Sequence, residues 1–226
     1  MKLPGSRFGV LVSLPANDVA LAEAARDGGA DGLKVHVNVS HRASGTVFGS
    51  VEEEQAQLRA ILDVGLPTGL VVGAGQVSSD QMAAAADMGF DYFDTYATDA
   101  PSDYVQACGS VAPMVALGPG DGPEQARALV GLGIGALELS TLEPERYGTD
   151  LSLATLARLR AVASAVNVPV VVPTQHHLQA SDLSLLADAG AAAVLLGAVV
   201  LGKVATDYTS KLEPYVAAAT NCGVST

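Results

Sequence analysis

Eight times between Phe8 and Leu196 the chain repeats one phrase: a short apolar run, a turn rich in Gly, Pro or Ser, and a helix-period segment. The runs fall at 8–14, 31–39, 68–74, 91–97, 112–117, 135–140, 168–172 and 192–196. Period-two alternation or an unbroken apolar run marks the strands, and apolar residues three and four apart mark the helices between them. Strands joined through helices run parallel, because each crossover returns the chain to the same end of the sheet. Eight evenly spaced units in 226 residues fit one α/β domain over 1–226, a single closed (β/α)8 TIM barrel. An open doubly wound sheet is the alternative, but no G-x-G-x-x-G phrase follows the first strand.

Helix punctuation agrees with this division. Asn17 is read as the N-cap of a helix over 18–27 that stops at Gly28 and Gly29. Ser50 and Glu53 form an S-x-x-E capping box, Ser78 or Ser79 opens the next helix, and Ser181 is read as the cap of a helix over 182–189. Aromatic residues are only 4% of the chain and Trp is absent, which leaves no stacking platform for bases. A net charge of −12 repels phosphate backbones, so nucleic acid is excluded as a partner. No apolar run reaches the roughly 18 residues of a membrane span, and the first residues lack a signal-peptide core. A cytoplasmic protein is expected, with a homo-oligomer left open. Cys108 and Cys222 lack metal-ligand spacing and are expected to be free thiols.

The second strand carries the sharpest chemical signal. Leu33, Val35, Val37 and Val39 form an aliphatic row, while Lys34, His36 and Asn38 form a polar one. In a barrel the aliphatic row meets the helices, so the polar row turns inward. A buried unpaired charge there costs several kcal/mol, so Lys34 needs partners. Two strands supply them: Asp94 stands with Tyr92 and Tyr96 on one face of strand four, and Glu138 with Ser140 on one face of strand six.

Active sites of such barrels lie at the C-terminal ends of the strands. Lys34, Asp94, Glu138 and His36 are the catalytic candidates. The lysine can serve as proton shuttle, oxyanion stabiliser or imine-forming amine, with the carboxylates as acid and base. Ser13, Asn38, His41, Arg42, Gln76, Tyr96, Ser140, Gln175 and His176 lie at or beyond strand ends and are candidates for binding substrate. Gly197 and Ala198 follow the last strand, where many barrels bind phosphate through backbone N–H groups. No cofactor is expected; a divalent metal held by the histidines is the alternative.

From strand six onward the chain resembles the phosphate-binding barrels that include N-acylmannosamine-6-phosphate 2-epimerase and ribulose-phosphate 3-epimerase. The resemblance rests on Ala136-Leu137-Glu138-Leu139-Ser140-Thr141, on Val168-Pro169-Val170-Val171-Val172, and on the phrase from Leu186 through Gly190 to Gly197-Ala198. His36-Val37-Asn38-Val39 is similar to the His-x-Asp-x start of the ribulose-phosphate epimerases, with Asn38 in place of their Asp. Pro173-Thr174 stands where the mannosamine epimerases have Glu-Gly, and Ala198 where they have a hydroxyl residue. The resemblance implies an enzyme of carbohydrate metabolism acting on a small phosphorylated sugar-like or carbonyl substrate. Isomerase or epimerase chemistry and carbon–carbon lyase (aldolase) chemistry both fit. The readings from other classes are a non-catalytic ligand-binding or scaffold barrel, which predicts no accessible cavity, and a metal-dependent hydrolase.

Overall fold

The apolar runs form strands because most of their side chains face buried surfaces on both sides. The computed structural model describes residues 7–73 and 78–222. Its eight barrel strands are Gly9–Ser13, Gly32–His36, Thr68–Val71, Tyr92–Asp94, Ala112–Leu117, Ala136–Leu139, Val170–Pro173 and Ala193–Leu196. Each pairs in parallel with its neighbours in chain order, and the first also pairs with the last, so the (β/α)8 barrel closes. Outward side chains such as Val10, Val12, Leu33, Val35 and Leu137 merge with the helices into one large core. Inside, Leu11, Val171, Ala193 and Leu195 form one apolar cluster, and Tyr92, Met114 and Ala136 another. These clusters occupy the inside of the barrel.

Tyr92 is the largest of these inner residues. Its hydroxyl donates to Leu33 O at 3.1 Å, and its ring passes over Gly69 so closely that a Cβ there would lie 2.1 Å from two ring carbons. Strand three therefore needs glycine at this level. Gly69→Ala is expected to cost roughly 1–3 kcal/mol through overpacking, measured by urea denaturation, and Gly69→Ala/Tyr92→Leu to recover part of the loss. At the opposite rim, Asp31 and Asp91, each just before a strand, accept from Val10 N (2.8 Å) and Thr68 N (2.9 Å).

Several local expectations change. The second strand ends at His36 rather than Val39, because Asn38 takes a left-handed conformation (φ 53) and its N–H donates to Gly49 O at 2.8 Å. The loop that follows contains a small antiparallel ribbon, Ser40–His41 with Thr46–Val47, tied down where Thr46 Oγ1 donates to Pro15 O at 2.6 Å. The first helix, Val19–Asp27, is capped by Asp18 and not Asn17. Ser50 and Glu53 make the reciprocal capping box. Ser181 is already in helical conformation and makes no cap; Asp182 instead accepts from Gln179 N. Cys108 and Cys222 are buried and unbridged. Among the described residues no helix is long and apolar enough to cross a membrane.

Candidate active site at the barrel mouth

Three strands bring three charges together. Lys34 Nζ lies 2.5 Å from Glu138 Oε2 and 3.1 Å from Asp94 Oδ2, and all three side chains are buried. Across the strand pair Lys34 faces Gly69, over which the Tyr92 ring lies. Burial opposes the lysine charge, but Glu138 first and Asp94 second outweigh it and hold the ammonium above its usual range. One cation cannot neutralise two carboxylates. Burial pushes Asp94 up to about 7; Lys34 opposes the rise and Glu138 adds to it. Asp94 Oδ1 is sealed and has no hydrogen-bond partner among the described residues.

A neutral aromatic wall stands beside this cluster. The His36 ring centroid lies 4.6 Å from that of His41 and 4.9 Å from that of Phe48. Burial first, then the neighbouring His41 and Lys34, drives the His36 pKa down, and burial with Lys34 lowers His41 to about 4. Both imidazoles are therefore uncharged at neutral pH. Asn17 fixes the end of strand two: its Nδ2 donates to His36 O at 2.7 Å, and its Oδ1 accepts from His36 N at 3.3 Å.

The opposite wall is built by the loop after strand six. Gln175 Oε1 accepts from Thr141 N (2.6 Å), Leu142 N (2.9 Å) and Thr141 Oγ1 (3.2 Å), while its Nε2 donates to the Tyr147 hydroxyl at 3.1 Å. Tyr96 and Ser140 share a hydrogen bond of 3.2 Å. Behind them the Arg158 guanidinium gathers the carbonyls of Ser140 (2.6 Å), Gly118 (2.6 Å) and Asp121 (2.7 Å), which holds the ends of strands five and six in place.

These walls enclose a cavity of about 510 Å³. Lys34, Asp94, Glu138 and His36 line it, as do Ser13, His41, Arg42, Tyr96, Ser140, Gln175 and Gly197. Asn38 does not, because its left-handed turn takes it out of the strand. His176 does not either: its Nε2 hydrogen-bonds Thr155 Oγ1 (3.0 Å) and its Nδ1 meets Thr149 O (3.1 Å), which makes it a tether between loop and helix. Ala198 lies outside the lining as the first residue of a one-turn helix, Ala198–Leu201, and the Gly197 amide is already committed to Thr174 Oγ1 at 2.7 Å. Gln76 lies outside the described residues. Among the described residues no group of three or more His, Cys, Asp or Glu side chains is placed to hold a metal ion. Tyr147 and Thr174, which line the cavity, and Asn17 and Arg158, which frame it, were not among the expected site residues. Thr174, directly after strand seven, and Tyr147, in the long loop after strand six, both stood at positions that the strand-end rule flags; Arg158, within a helix, did not.

No protein-family model matches the chain, and no curated protein matches it. Solved structures do. Tryptophan synthase from Mycobacterium tuberculosis is similar at a TM-score of 0.75 and 17% identity, over 94% of this chain and 93% of that one. Phosphoribosyl anthranilate isomerase from Thermus thermophilus is similar at 0.68 and 16%, over 95% and 99%. Thiamine phosphate pyrophosphorylase from Pyrococcus furiosus is similar at 0.67 and 13%, over 95% and 96%. What the chain shares with them is the barrel fold.

Proposed function

We propose that the barrel mouth is the active site of an enzyme that moves a proton at a carbon beside a carbonyl, on a small sugar-like or keto substrate. Isomerisation or epimerisation is the primary reading; carbon–carbon cleavage through the same enolate is its nearest variant. The observation that carries it is the buried Lys34–Asp94–Glu138 cluster, in which one carboxyl group is poised near neutrality. A general base works best with a pKa near the operating pH. In the forward step the α C–H bond breaks, its proton passes to Asp94, and the electron pair moves to the carbonyl oxygen. Protonation of the same carbon from the opposite face by water, with Asp94 releasing its proton to solvent, gives the epimer. Return of the proton from Asp94 to the former carbonyl carbon, with the hydroxyl proton passing to the former carbonyl oxygen, gives the isomer. Neither involves a net redox change.

Imine chemistry fits less well. An ammonium held charged by two carboxylates has no lone pair with which to attack a carbonyl. A scaffold role is also disfavoured, because it requires no cavity. Arg42, exposed at the rim and 3.5 Å from Glu145, is the lining cation that can exchange its partner for a substrate phosphate. The names of the similar structures, a synthase, an isomerase and a pyrophosphorylase, are those of enzymes, which supports the general reading.

The test is solvent exchange. In D2O the protein is expected to wash the α-proton out of at least one member of a panel of hydroxyketones and hydroxyaldehydes, offered free and phosphorylated, as followed by proton NMR. Borohydride trapping of a Lys34 adduct, without such exchange, would replace this mechanism by an imine one.

A further inference from the structure

We propose that Tyr147 donates the hydrogen bond that meets the reacting carbonyl oxygen, and that Gln175 is the positioning residue that turns it to that task. The proposal rests on the proton-transfer reading above and adds to it the group that receives the developing negative charge. Lys34 is engaged by two carboxylates, so the oxygen needs another donor.

The orientation of the Gln175 amide is set by its surroundings. Two backbone N–H groups and a hydroxyl converge on one end of it, and only the amide oxygen can accept them. The NH2 end therefore faces Tyr147 and donates to its hydroxyl oxygen. That leaves the single phenolic hydrogen pointing away from Gln175, and Tyr147 makes no other side-chain hydrogen bond among the described residues. The residue lines the cavity together with Glu138 and His36. Burial pushes its pKa up to about 12, so the hydrogen is kept at neutral pH. A second tie holds the loop in register, since Gly148 N donates to Gln175 O at 2.8 Å. Tyr96 lacks this definition: either it or Ser140 can be the donor in their shared bond.

As the C–H bond breaks and the proton passes to Asp94, the hydrogen bond from Tyr147 strengthens on the oxygen that gains charge, and the phenol keeps its proton. The substrate must therefore carry an acceptor oxygen on the carbon next to the one that is deprotonated, as an α-hydroxyketone does.

Two near-isosteric variants test this. Tyr147→Phe is expected to lower kcat for deuterium exchange by roughly 10²-fold to 10³-fold, with a small change in KM. Gln175→Glu keeps acceptors for the Thr141 and Leu142 N–H groups but cannot donate, so the Tyr147 hydrogen turns toward the new carboxylate and kcat falls by a similar factor. A merely structural Gln175 would instead lose folding stability and KM together. A readout that needs no turnover is the 13Cζ resonance of Tyr147, assigned with Tyr147→Phe: hydroxyacetone should shift it in the native protein and not in Gln175→Glu. If no panel compound exchanges, the proton-transfer reading fails, whatever Tyr147 does. If exchange occurs but Tyr147→Phe keeps its rate within twofold, or hydroxyacetone leaves the resonance unmoved, the role of Tyr147 as carbonyl donor is overturned alone.

Discussion

Lys34→Met is expected to cost about 3–5 kcal/mol of folding stability at pH 8, because it leaves two buried carboxylates without their cation. Urea denaturation across pH separates this from loss of packing. With Lys34 present, Asp94 already sits at about 7, against an ordinary value of 3.8. Without it the Asp94 carboxyl, which Lys34 holds down, rises further. A carboxyl raised in the folded state contributes stability that is fully present below its unfolded pKa and lost as pH climbs through its folded one. The deficit of Lys34→Met relative to the native protein should therefore be largest near pH 8 and shrink steadily toward pH 5. A variant as stable as the native protein at pH 8 would mean that the cluster is not a closed charge system. The companion variant Lys34→Met/Asp94→Leu/Glu138→Leu should be near neutral in stability, since apolar replacement of a whole buried ion cluster often is. Such an outcome would locate the reason for the cluster in chemistry rather than in folding.

How far the sequence carried depended on whether a feature was local. The inward turn of Lys34 and His36 was legible, because alternation plus a helix-covered sheet leaves no other place for a polar row. The meeting of Lys34 with Asp94 and Glu138 was legible for the same reason, each standing on the inner face of its own strand. Asn38 was not, since the alternation of side chains continues past the point where the backbone leaves the strand; the hint was that Asn tolerates a left-handed turn. His176 stood at the right end of the right strand, but its partners Thr155 and Thr149 lie on separate elements, and only tertiary structure brings them to its ring. Arg158 was not singled out in the sequence. Its partners are backbone carbonyls, which leave no mark in a sequence.

Asp94→Asn sets activity against stability in a single residue. Asparagine has nearly the shape of aspartate and can still accept from Lys34 Nζ, so the barrel should remain closed around the cluster. It cannot take a proton from carbon. Loss of a general base typically removes about 10²-fold to 10⁴-fold in rate, and kcat for deuterium exchange should fall by that much. The pH–rate profile should change shape as well: the native protein should show a limb with its inflection near the Asp94 value of about 7, and the variant should be flat there. Stability should move the other way. In the native protein the raised Asp94 pKa means that folding loses ground between about 4 and 7, as the ionised carboxylate is forced into a buried site. The neutral amide has no such dependence, so Asp94→Asn should be more stable than the native protein above pH 7 and lose its advantage as the pH falls toward 4. A site that weakens its own fold at working pH, and gains stability when its chemistry is removed, is what a catalytic carboxylate predicts. A structural carboxylate predicts the opposite pairing, with activity retained and stability lost, and that result would remove Asp94 from the proposed mechanism.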